Sequence, residues 1–252
     1  MKMFARYLLC SIAFSVSTFA QTTAATLQKA RAYLGSESAL TAVASVHYEG
    51  KLKTVVTDAT GEQVTAEAAI MITFARPYFQ RIEILATDKQ EITALDDYEA
   101  WQRIQDPADE SQWRLTILDA PQVRRLRANT WENLNFFGDI TAVGGRIEDL
   151  GRVTVEGRSL HKIAFIHSPA VVFFRFFDPV TGQLVFSETE AGAIIRESGE
   201  NRVAGVRFPA KVETTSVRPD GQKQIVSVTF DRVAVNQGID RAKFRMPSVT
   251  GD

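Results

Sequence analysis

The run Val171-Val172-Phe173-Phe174-Arg175-Phe176-Phe177, followed at once by Asp178-Pro179-Val180-Thr181-Gly182, is greasy on both sides and then turns sharply. A period of two puts Val172, Phe174 and Phe176 on one face and Val171, Phe173, Arg175 and Phe177 on the other. A strand apolar on both faces must be covered twice, or one face must meet a ligand. Arg175 stands between two phenylalanines. It is either a snorkelling arginine stacked on rings or an arginine at the mouth of a lipid cavity, holding a carbonyl or phosphate. Asp-Pro-x-Thr-Gly is turn chemistry. Leu184, Val185 and Phe186 then resume the strand pattern, so the unit reads as an antiparallel hairpin.

Outward from this hairpin the alternation repeats. Downstream, strands are expected over residues 193–196, 205–217 and 225–235, with Pro219-Asp220-Gly221 as a turn. Upstream lie Val153 and Val155, then Ile163 and Phe165. A glycine-marked loop covers residues 138–151. Before it, Pro121 opens a helix to about residue 136, with Val123, Leu126, Trp131 and Leu134 as its apolar stripe. Further upstream, Val46, Tyr48, Leu52 and Val56 share one strand face. Val64, Ala66, Ala68, Ile70, Ile72 and Phe74 share the next, which Arg76-Pro77 ends. Ile82, Ile84, Ile92 and Ala94 continue the pattern, as do residues 98–105 and 112–118. Helical spacing marks residues 26–44, with Gly35 as a break. About ten strands and few helices predict a mainly β fold. Its core is a large curved antiparallel sheet that helices cover on one side.

The chain has 252 residues, 45% of them hydrophobic, enough for one sizeable core. Its formal net charge of −1 shows no basic excess that would point to nucleic acid or an anionic membrane surface. Lys2 and Arg6, the apolar residues 7–19, and the small Thr18 and Ala20 read as a signal peptide over residues 1–20. A single domain over 21–252 and a periplasmic location follow as expectations. The apolar stretch is shorter than the roughly 20 residues that a spanning helix needs. Cys10 is the one cysteine; it lies inside this segment with bulky Leu9 before it, so lipid anchoring is not expected.

Local catalytic motifs are absent: no phosphate-cradling glycine loop, no nucleophile elbow, no H-E-x-x-H pair. His161 and His167 lie six residues apart on one expected strand. At about 3.3 Å per residue that is roughly 20 Å, too far for one metal ion. Glu188 and Glu190 share a strand face but read as solvated. No enzyme activity, cofactor or metal is expected.

The order of elements resembles that of the LolA-like outer-membrane lipoprotein-sorting proteins. The helix–glycine–helix–strand start "ARAYLGSESALTAVASVHYEGKL" carries part of the likeness. The rest lies in "GRVTVEGRSLHKIAF", "FFRFFDPVTGQLVFSETE" and "VAGVRFPAKVETT". Asp178, Pro179, Thr181 and Gly182 match the family's turn, and Gly205, Phe208 and Pro209 a later element. The resemblance implies an open half-barrel with helices as a lid on its concave face. It also implies an apolar cavity for lipid or lipoprotein acyl chains, and dealings with an inner-membrane lipoprotein exporter and an outer-membrane acceptor. Alternation alone nominates the lining: Tyr48, Ile70, Ile72, Phe74, Ile82, Ile84, Trp113, Trp131, Leu134, Phe174 and Phe176, with Arg175 as a polar contact. The rivals are an envelope sensor of the same fold and, behind it, a hydrolase using Glu188, Glu190 or a histidine.

Overall fold

The computed structural model describes residues 16–58 and 60–248. Residues 1–15, most of the expected signal peptide, lie outside them. Helices α1 (Val16–Leu34) and α2 (Glu37–Ala42) come first. Six strands follow: β1 (Ser45–Thr57), β2 (Gln63–Ala75), β3 (Phe79–Leu85), β4 (Gln90–Asp96), β5 (Glu99–Asp106) and β6 (Asp109–Ile117). Helix α3 (Ala120–Asn135) interrupts. Then come β7 (Arg146–Val155), β8 (Arg158–Ser168), β9 (Val171–Phe177), β10 (Leu184–Thr189) and β11 (Ile194–Ser198). The last strands are β12 (Asn201–Val203), β13 (Val206–Phe208), β14 (Lys211–Val217) and β15 (Lys223–Val235).

Thirteen strands form one sheet in the order β6-β5-β4-β3-β2-β1-β15-β14-β11-β10-β9-β8-β7. Every pairing is antiparallel. The two edges, β6 and β7, are neighbours in sequence, and α3 is the connection between them. The sheet therefore stays open, a half-barrel, and its helices lie on the concave face. A bulge between β1 and β15 at Glu49/Gly50 breaks the register. Only glycine fits there: a Cβ on Gly50 would stand 2.1 Å from the Thr229 carbonyl oxygen.

Local chemistry sets α3 in place. Asp119 and Gln122 make a reciprocal capping box, and Pro121 occupies the first turn. At the other end Arg31 of α1 donates to the carbonyls of Asn135 (2.9 Å) and Phe136 (2.8 Å). Arg76 donates to the Leu134 carbonyl at 2.7 Å. Two guanidinium groups thus meet the negative end of the helix dipole and its orphan carbonyls.

The strand expected over 205–217 is two strands. Pro209 lies in the gap between them and has no N–H for a ladder. β13 instead pairs with β12 in a small hairpin. Ala204 and Gly205 turn it, both at positive φ (49° and 78°). Gly35 lets this hairpin approach, since a Cβ there would lie 2.7 Å from the Gly205 carbonyl oxygen. The hairpin's Val206 and Phe208 pack with Leu40, Tyr48, Phe74 and Phe136. A second cluster joins Ala30 and Ala128 of the helices to Ile163, Phe165, Phe173 and Phe177 of the sheet. At about 1.5–3 kcal/mol for each large apolar side chain buried, these two clusters hold the lid down.

Candidate functional site

Between the concave face and α3 lies a cavity of about 310 Å³. The sheet contributes Tyr48, Ile72, Phe74 and Ile82 from one half, and Phe173, Arg175, Ile195, Val212 and Val228 from the other. From above come Asn129, Glu132, Asn133, Phe136 and Phe137, and the hairpin adds Phe208.

Of the residues nominated by alternation, Tyr48, Ile72, Phe74, Ile82 and Arg175 meet on this wall. Ile70 and Ile84 pair with each other on the next rung and do not reach it. Leu134 is core beside it. Trp131 lines a second, smaller cavity. Trp113 is 43% exposed and lies near Arg103 on the sheet's far flank. Phe174 and Phe176 lie on the opposite face of β9. Phe176 stacks on Phe186 at 4.0 Å, and Lys162 covers both Phe174 (4.7 Å) and Phe176 (4.9 Å). The aromatic strand is covered twice, and the face that carries the arginine is the one turned to the cavity. Its partner explains why: Glu132 of α3 meets Arg175 there.

This polar centre is buried. Glu132 Oε2 lies 2.5 Å from Arg175 Nη2, and its Oε1 lies 2.5 Å from His167 Nε2. Burial pushes the Glu132 carboxyl up, but Arg175 and His167 outweigh it and hold it below the usual carboxylate range. The Arg175 guanidinium sits over the rings of Phe165 (4.4 Å) and Phe137 (4.8 Å). Its Nε and Nη1 are buried and have no hydrogen-bond partner among the described residues. Glu197 also lines the cavity. It is exposed. The protein around its carboxyl pushes the pKa up, against the opposing field of Arg175. Desolvation, aided by Glu197, also drives the Tyr48 phenol far above its ordinary value. The cavity thus offers apolar walls and a carboxyl biased toward its neutral form, with two unpartnered nitrogens of Arg175 buried beside it. That set suits an apolar chain ending in an acceptor oxygen.

Glu132 and Glu197 were missed in the sequence. Glu132 did carry a signal, since it lies four residues from both Ala128 and Phe136 on a buried helix stripe. The histidines are separately engaged. His161 Nδ1 meets Thr26 Oγ1 at 2.8 Å and its Nε2 meets Asp149 at 2.8 Å. His47 bonds Thr73 and Glu49. Glu188 and Glu190 part company: Glu188 faces Lys162, whereas Glu190 pairs with Arg125.

The chain is thus an open half-barrel with helices over an apolar cavity. No protein-family model matches the chain, and no curated protein matches it in sequence. Solved structures do match in fold. A LolA superfamily protein from Nitrosomonas europaea aligns at TM-score 0.56 and 9% identity, over 88% of this chain and 97% of that one. A domain from Vibrio parahaemolyticus, described as an outer membrane lipoprotein-sorting protein, aligns at 0.51 and 9%, over 87% and 94%. A DUF1329 family protein from Desulfovibrio piger aligns at 0.52 and 8%, over 88% and 96%. The chain has the LolA-like fold. No helix among the described residues is long and apolar enough to cross a membrane.

Proposed function

We propose that this chain is a periplasmic carrier or binding protein that shelters an acyl chain of a lipid or lipoprotein, in sorting to the outer membrane. Residues 1–20 would direct its export and be removed. One observation carries the reading: an apolar cavity under a helical lid contains a buried arginine with unpartnered N–H groups. Each methylene taken from water contributes roughly 0.8 kcal/mol. The free N–H groups of Arg175 would meet a carbonyl or carboxylate oxygen of the guest. At roughly 30 Å³ per water-sized group, the cavity has room for about ten such groups. A longer chain requires α3 or the β12–β13 hairpin to swing outward. The partners on this reading are an inner-membrane lipoprotein exporter and an outer-membrane acceptor.

Mass spectrometry of the natively purified protein should find a co-purifying lipid. The delipidated chain should then take up a fluorescent fatty-acid probe saturably. An empty protein that takes up no probe would sink the proposal. A saturable protein complex formed by the lipid-free chain would favour the sensor role instead.

A further inference from the structure

Glu132 joins two cavities. Its carboxylate lines the acyl-sized one, and its partner His167 lines a second of about 170 Å³. Arg124, Arg127, Trp131, Ser168 and Tyr78 stand around that second space.

Its polar groups are almost all donors, and they are not used up. Trp131 Nε1 and Ser168 Oγ are buried without a hydrogen-bond partner among the described residues. An indole N–H can only donate, so whatever completes it must be an acceptor. Arg124 makes no ion pair or hydrogen bond among the described residues. Arg127 is already oriented: Asp97 holds it, and its guanidinium lies 3.6 Å from the Tyr78 ring centre and 3.8 Å from that of Tyr98. Of the nearby carboxylates, Asp97 is paired with Arg127 at the site itself, while Glu132 is committed to Arg175 and His167 and Glu190 to Arg125. Arg124 is therefore a cation in surplus at a cavity with one orphan indole donor and one orphan hydroxyl.

We infer that this second cavity binds a phosphate group. Two guanidinium groups, one indole and one hydroxyl supply more donors than the two oxygens of a carboxylate can use. A tetrahedral phosphate has the acceptors to match, and arginine is suited to it. At roughly 30 Å³ per water-sized group, the space holds about five or six, which is phosphate with a short attachment. The group could arrive as a lipid headgroup or as a free phosphate. The site does not depend on the acyl cavity.

The test uses the full chain at constant ionic strength, with tryptophan fluorescence and calorimetry as readouts. The probes are inorganic phosphate, dihexanoyl phosphatidic acid and, as the control anion, acetate. A saturable response to either phosphate probe, and not to acetate, is expected. Arg124→Gln should weaken it about tenfold or more, since it removes a charge-assisted donor. Arg124 is exposed, so this variant should fold normally. Trp131→Phe should abolish the fluorescence change, and Ser168→Ala should weaken binding. Response to phosphatidic acid alone assigns the headgroup source; response to both assigns phosphate itself. Val212→Trp, which fills the acyl cavity, should leave the response intact. No response to either phosphate probe, an equal response to acetate, or unchanged affinity in Arg124→Gln would overturn the assignment.

Discussion

Glu132 and Arg175 meet at 2.5 Å, a carboxylate from the lid helix and a guanidinium from the sheet, with side chains only 6% and 8% exposed. A buried pair of this kind is held by mutual compensation. Glu132→Gln leaves Arg175 charged and unpaired among aromatic rings, and should destabilise the fold by about 3–5 kcal/mol. The double variant Glu132→Gln/Arg175→Met removes both charges and should recover most of that loss. Urea unfolding of the three proteins checks this. A single variant within about 0.5 kcal/mol of the parent would show that the pair does not hold the lid.

The cavity face of the sheet, at Val212 of β14, and the outer face of β9 predict opposite phenotypes. Val212→Trp projects bulk into the cavity, and uptake of a fluorescent fatty acid should fall at least tenfold. Phe176→Leu alters the opposite face, where it packs on Phe186 and Leu160. It should cost about 1 kcal/mol or a little more in stability and leave uptake unchanged. Loss of uptake in Phe176→Leu at full folding would place the guest on the wrong side of this sheet.

Strand alternation made most of the sheet legible, because Val46, Tyr48, Ile72 and Phe74 repeat at period two with turns between. The Asp178–Gly182 turn and the Pro121 helix start were equally plain. The inward side of β9 was not legible, because Phe173 and Phe177 are as apolar as Phe174 and Phe176. Only a distant group, Glu132, breaks that symmetry. Glu197 escaped for a different reason: it sits near the end of a short strand beside Arg196, where no local pattern marks it. Trp113 shows the reverse error, since an aromatic on an edge strand can satisfy itself against Arg103 outside the core.

Two sets of carboxyls should shape the pH dependence in opposite senses. Glu132 and Asp149 are buried enough to be pushed up, yet their partners win and hold both below the usual range. Asp178 is lowered chiefly by the Thr181 N–H. Their contribution is fully present above the unfolded carboxylate values, about 4, and is lost as pH falls through the folded ones. Glu197 is raised by the protein packed around its carboxyl, so its contribution is present at low pH and lost as pH rises through its folded value. Thermal melts should therefore show Tm falling on both sides, below about pH 4 where the lowered carboxyls protonate and again as pH rises through the folded value of Glu197. Glu197→Gln should raise Tm relative to the parent at pH 7 and not at pH 4. Identical shifts at both pH values would mean that Glu197 titrates as a free carboxylate.

The turn after β9 supports the lid as well as the sheet. Gly182 adopts φ 77°, and its N–H donates to the Asp178 carbonyl at 2.8 Å. A Cβ there would lie 2.4 Å from the Lys29 backbone carbon and 2.6 Å from the Ala30 nitrogen, both in α1. Lys29 in turn donates from Nζ to the Pro179 carbonyl at 3.0 Å. Gly182→Ala should incur the left-handed backbone cost of about 1–2 kcal/mol and also push α1 outward. Gly192 provides the control, with φ 78° and nothing within 4 Å of a built Cβ, so Gly192→Ala should incur the backbone cost alone. Hydrogen exchange should speed up along α1 around Ala30 in the first variant only, while α3 keeps its protection. Equal losses and equal exchange in the two variants would mean that α1 accommodates the methyl, and that the turn does not brace the lid.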